Sequence, residues 1–259
     1  MARSGGSNRE MQERFQRSAD TISKCFHRVL DLLVSPQFYS RYVKLPSEDH
    51  TPPEIQKNPI FYPFLKDCLG AIDGTHIDAA TDSRIFKDAR EHGLAIPLGK
   101  FYLADAGFPS CDTLLVPYRG VCYHLKEWGN ATDKPRDYKE LFNLRHSQAR
   151  NAVERIFGIV KRRFTLINAA PEYSIHTQSQ IILATCALHN FIRIYDPDDL
   201  ETGAQSILEA EVHRQVPLQG PEYFGHHVSQ AESNRATSFR DNVAKAMWAQ
   251  YQDVLRQRS

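Results

Sequence analysis

The chain has 259 residues, is 41% hydrophobic and 24% charged, and carries a formal net charge of +1. Such a composition excludes wholesale disorder, a collagen-like repeat and a coiled coil, and with no global basic field any nucleic-acid contact must come from local clusters. The 5 cysteines include no Cys-x-x-Cys pair, which argues against a disulfide framework or a cysteine-rich zinc site and for a reducing compartment. The longest apolar run, Ile181 to Leu188 with Thr185 inside it, is too short to span a bilayer, and the first ten residues hold no apolar signal core. The expectation is a soluble intracellular protein with no membrane partner.

Taken in chain order, residues 8–34 read as two helices with a break. Asn8 to Phe15 is polar with one apolar edge. From Thr21 to Val34, Ile22, Phe26, Val29, Leu30 and Leu33 recur at three- and four-residue steps, the mark of one buried face. Ser18 or Asp20 suits the cap. Exposed first turns carrying Ser23, Lys24, His27 and Arg28 resemble the end of a helix-turn-helix, whose last helix enters a major groove. The alternative is a helical hairpin that only packs on the main domain. Five prolines in 46–63 predict a linker.

Cys68 to Ile72 reads as a buried strand ending at Asp73-Gly74-Thr75. Thr81 to Glu91 has helical character. Lys100 to Ala104 is a second strand, stopped at Asp105-Ala106-Gly107, and Thr113 to Tyr118 a third, with Pro117 favouring an edge. Asn143 to Phe164 is the strongest predicted helix, striped by Val153, Ile156, Phe157, Val160 and Phe164. Ser179 to Tyr195 is a second, nearly all apolar. Residues 196–236 read as a flexible connector, and Phe239, Val243, Met247 and Tyr251 step by four along a terminal helix that docks on the core.

Two strands joined by a helical crossover run parallel, so Asp73 and Asp105 should emerge at one carboxyl edge, where α/β sheets place their sites. Neighbouring carboxylates repel, and a divalent cation with a preference for hard oxygen, Mg²⁺ or Mn²⁺, resolves the conflict. Glu154 on the strong helix is the third acid. Between 145 and 163 it faces six cations: Arg145, Arg150, Arg155, Lys161, Arg162 and Arg163. A metal-binding carboxylate in a basic helix suits a phosphate-rich substrate. The alternative for Glu154 is a pair with Arg150, four residues back, and for each strand-end aspartate a turn. Asp-Gly-Thr is also similar to the Asp-x-Asp-Gly-Thr of haloacid-dehalogenase phosphatases, but Ala71 stands where their nucleophile would be.

Longer motifs decide the resemblance. Ala71-Ile72-Asp73-Gly74-Thr75-His76-Ile77 resembles the first acidic motif of PIF/Harbinger-type DDE transposases and the nucleases derived from them. Leu103-Ala104-Asp105-Ala106-Gly107-Phe108 with Leu115-Val116-Pro117-Tyr118-Arg119-Gly120 resembles the second. Arg145-His146-x-x-Ala149-Arg150-Asn151-x-x-Glu154-Arg155-x-Phe157-Gly158-x-x-Lys161-x-Arg163-Phe164 resembles the third, and Leu188-His189-Asn190-Phe191 the helix that follows. The resemblance spans about residues 7 to 195.

It implies an α/β, RNase H-like fold, with Asp73, Asp105 and Glu154 as a metal-binding catalytic triad and Mg²⁺ or Mn²⁺ activating water against a DNA phosphodiester. DNA is the implied partner, with a separate DNA-binding protein as a candidate second one, and the nucleus is the implied location. Lys24, Arg28, Arg150, Lys161, Arg162 and Arg163 are candidate DNA contacts. His76, Arg150 and Lys161 are candidates for supporting roles, with core packing or solvated charge as the alternative for each. The organisation expected is a helix-turn-helix-like remnant over 1–45, a linker over 46–63, the nuclease core over 64–195, and a connector with the terminal helix over 196–259.

One departure from the family pattern matters. Asp105 follows Asp73 by only 32 residues, and Ala79-Ala80 runs straight into Thr81-Asp82-Ser83-Arg84 where a strand pair belongs. That deletion is expected to leave the first strand as an exposed edge and the core destabilised, with weak or no activity. An inactive, domesticated DNA- or chromatin-binding protein is the alternative function.

Overall fold

Helices and a small parallel sheet build the computed structural model, which describes residues 6–49, 51–73, 89, 94–121, 134–167, 173–196 and 228–258. In chain order the helices among the described residues are α1 (Asn8–Phe15), α2 (Ala19–Val34), α3 (Pro36–Tyr42), α4 (Pro53–Gln56), α5 (Tyr138–Arg163), α6 (Ile175–Tyr195) and α7 (Gln230–Arg258). The strands are β1 (Cys68–Ala71), β2 (Phe101–Leu103) and β3 (Leu114–Leu115). The expected helix over 81–91 lies outside the described residues, apart from Ala89.

The strands form one sheet in the order β1-β2-β3, and both pairings are parallel. All three short apolar runs therefore become strands, as their composition predicts. Gly99, with φ +79°, closes the turn in which Lys100 N–H donates to Pro97 O at 3.0 Å, and this turn delivers the chain into β2. A side chain at Gly99 would be strained. β3 stops two residues short of Pro117, which has no N–H for a ladder, and sits at an edge. β1 is the other edge among the described strands.

Described residues of 1–45 and 155–211 form one compact unit, and those of 46–154 and 212–259 form another. The division falls inside α5, between Glu154 and Arg155.

In the first unit, Ser7 and Glu10 form a reciprocal capping box on α1, and Ser18 caps α2 through the Thr21 N–H at 3.3 Å. Asp20 lies inside the first turn instead. Ile22 and Leu30 are buried, but Val29, at the margin of the predicted stripe, is 55% exposed. The proline at the first position of α3 fits a helix start, a signal not used in the sequence reading. Leu30, Leu166, Ile181 and Ala184 form the core, with Phe26 stacked on Tyr173. Asn190 Nδ2 donates to Tyr42 O at 2.9 Å and ties α6 to α3.

In the second unit the sheet is covered on both faces. Cys68, Phe101, Leu103 and Leu115 pack with Phe142 of α5 and Met247 of α7, while Leu69, Tyr102, Ala104 and Leu114 form a second layer with Phe108 and Val116. Burial on both faces explains why these strands read as continuous apolar runs. The segment 46–63 is not a free linker: Ile55 and Phe61 are buried in the first layer, because the prolines shape turns rather than hold the chain away. Residues 230–236, expected within the connector, already belong to α7. α5 begins at Tyr138 and α6 at Ile175, each earlier than its apolar stripe. No described helix is long and apolar enough to cross a membrane. Cys25, Cys68, Cys111 and Cys186 are free thiols.

Candidate active site at the carboxyl edge of the sheet

The register of β1 and β2 sets the site. Ala71 pairs with Leu103, and Ile72 N–H donates to Leu103 O at 2.8 Å. Two residues beyond this matched pair, one strand reaches Asp73 and the other Asp105. The strands are parallel, so both acids leave the sheet at the same end. Asp105 also shapes its own turn: its Oδ1 accepts the Gly107 N–H at 2.8 Å, and Phe108 N–H donates to its carbonyl at 3.3 Å. The turn-forming role open to a strand-end aspartate is thus present.

Helix α5 brings the third acid. Asn143, His146, Arg150 and Glu154 recur along it at three- and four-residue steps, and the first three are buried. Asn143 Oδ1 accepts the Tyr118 N–H at 2.8 Å, and its Nδ2 donates to Tyr118 O at 2.9 Å. His146 Nε2 donates to Leu115 O at 2.9 Å, fixing the helix to β3. Burial pushes the His146 pKa down to about 3, and the positive charges of Arg150 and Arg240 push the same way, so the ring is neutral.

One turn further on, the Arg150 guanidinium joins two acids. Its Nη2 lies 3.1 Å from Asp73 Oδ1 and its Nη1 lies 3.5 Å from Glu154 Oε1. The side chains of Arg150, Asp73 and Glu154 are 9%, 19% and 49% exposed. The Arg150 Nε is buried with no hydrogen-bond partner among the described residues. The pair between Glu154 and Arg150 is the one that helical spacing allows, but the contact with Asp73 spans 77 residues of chain and no local pattern announces it.

Carboxylate oxygens suit Mg²⁺ or Mn²⁺ by chemistry. As placed, these acids do not fit such an ion. Among the described residues no three His, Cys, Asp or Glu side chains group closely enough to hold one, and a guanidinium lies between Asp73 and Glu154. His76 lies outside the described residues.

The other basic candidates divide by environment. Arg145 is a packing residue: 6% exposed, it donates to Gln250 Oε1 at 3.0 Å and lies 5.8 Å from the Phe64 ring centre. In the other unit, Arg162 is exposed in the last turn of α5, while Lys161 is half-buried and Arg163 has one guanidinium nitrogen buried. Lys24 pairs with Asp20 at 2.7 Å, and Arg28 is exposed on the same helix. Sequence reading named Arg150 but missed Asn143 and His146 as the residues that hold its helix. Their polar stripe at helical spacing was the available signal.

Comparison with known proteins agrees with the motifs. Residues 72–190 match the model of the DDE superfamily endonuclease family, and residues 1–35 match a domain of unknown function, DUF8040. A Xenopus laevis protein named Putative nuclease HARBI1 is 33% identical over 96 residues, which is 35% of this chain and 27% of that protein. The chain thus spans about a quarter of that relative's length. No solved structure matches. The stretch similar to the DDE superfamily endonucleases, residues 72–190, contains Asp73, Asp105 and Glu154.

Proposed function

We propose that this chain is a transposase-derived DNA endonuclease whose reaction centre is the edge carrying Asp73, Asp105 and Glu154. The observation that supports it most is the matched register of β1 and β2, ending both strands in an aspartate at one side of the sheet. An RNase H-like topology is part of the proposal, since that fold draws its acids from such an edge and from a later helix. Members of the family generally use divalent metals, and Mg²⁺ or Mn²⁺ is the proposed class of ion; no step is assigned to it here, because the acids as arranged do not cradle it. In this reading Arg150 orients Asp73 and Glu154, the Gly107 N–H orients Asp105, and Lys161, Arg162 and Arg163 meet the DNA backbone. The N-terminal helices, with Lys24 and Arg28, are the proposed helix-turn-helix-like contact, and the nucleus is the proposed location.

Nicking of supercoiled plasmid in Mg²⁺ or Mn²⁺ tests the reading against Asp105→Asn. Asparagine keeps the acceptor for the Gly107 N–H, so the turn survives while the negative charge is lost. Nicking should fall by about a hundredfold or more; equal nicking by both proteins overturns the assignment. The ion pairs of Arg150 favour a second reading, a protein that binds DNA without cutting it. That reading expects unchanged DNA binding in the Asp105→Asn variant and no nicking by either protein.

A further inference from the structure

Asp73 and Glu154 are two of the acids in the proposed reaction centre, and the cation that contacts both belongs to the chain itself. Arg150 reaches both with separate nitrogens, Nη2 to Asp73 and Nη1 to Glu154. With its side chain only 9% exposed, water screens this charge weakly. The helix that carries Arg150 is locked by neighbours on the same face: Asn143 on the Tyr118 backbone and His146 on Leu115 O. The guanidinium is therefore delivered by a fixed element rather than by a mobile surface chain.

We propose that Arg150 is a resident counter-ion that excludes divalent cations from Asp73 and Glu154 in the DNA-free protein. A guanidinium neutralises one unit of charge between the acids and fills the space in which a metal would sit. A dication entering there would have to displace it or endure its repulsion. The buried Nε, which has no acceptor among the described residues, is a donor that a phosphate oxygen could meet if the side chain moved. This inference rests on the reading of the acidic edge as the reaction centre.

Titration of the DNA-free full chain with Mn²⁺, followed by the electron paramagnetic resonance signal of the unbound ion, tests it. Four proteins are compared: wild type, Asp73→Asn, Arg150→Gln and the double variant. The wild-type and Asp73→Asn curves should coincide, because Asp73 is already taken. Arg150→Gln should bind Mn²⁺ at least about tenfold more tightly, the equivalent of one pKa unit of interaction, and the double variant should lose that gain. Arg150→Met fills the same volume without charge and replaces Arg150→Gln if the latter does not fold. Wild-type binding that Asp73→Asn abolishes overturns the proposal, and so does a folded Arg150 variant that gains nothing. The titration contains no DNA, so its result is separate from nicking: loss of the nuclease reading would leave these curves unchanged.

Discussion

Arg150 and His146 lie four residues apart on α5, and both are buried polar groups. Arg150 pairs with Asp73 and Glu154. His146 gives its charge up, because its ring lies in the core against Phe142 with one carbonyl partner. Its pKa of about 3 lies below the ordinary 6.5, so the unfolded chain takes up the proton first. This contribution to stability is complete above pH 6.5 and is lost as pH falls toward 3. His189, buried and held near 4, adds a loss of the same sign. Urea unfolding across that range should show wild-type stability falling with acid, with up to about 1.4 kcal/mol per pH unit due to His146. His146→Gln should flatten the fall; an identical slope in both proteins would refute this account of the ring.

At the scale of elements, α5 and α7 do most to position the edge. Asn143 clamps the backbone of Tyr118 with both ends of its amide, so Asn143→Ala strands a buried N–H and a buried carbonyl. Denaturation should show a loss of about 2–6 kcal/mol, from an unmet-partner cost of about 1–3 kcal/mol for each group. On α7, Met247 is 1% exposed and packs with Phe142 and the strands, and Met247→Ala should cost about 2–5 kcal/mol. A loss below 1 kcal/mol at Met247 would mean that α7 is peripheral to the core. Helix and strand positions were legible because periodicity is a local property: the apolar runs of β1, β2 and β3 and the four-residue steps of α7 are each visible within a few residues. Proline density misled over 46–63, since proline forbids regular ladders but not burial, and Ile55 and Phe61 use the turns to enter the core.

For the whole molecule, the chain is near-neutral, so the proposed contact with DNA depends on local charge. Arg162, exposed at the end of α5, is the test position, and Arg145 is the contrast. Arg162→Ala should lower the slope of log affinity against log salt by about 1, as for one lost phosphate contact. Filter binding over a salt series measures it, and an unchanged slope removes Arg162 from the interface. Arg145→Ala should instead lower stability, since that side chain spends its donors on Gln250.

By itself the sequence determined the three strands, the parallel run of the first two, the acids at their ends and the acid on α5. Each follows from short-range patterns and from motifs of fixed spacing. Tertiary structure alone decided that Arg150 reaches across 77 residues to Asp73 and that the polar stripe of α5 is clamped on β3 and Tyr118. Those outcomes depend on which surfaces meet once the chain has folded back on itself, and no window of neighbouring residues encodes them.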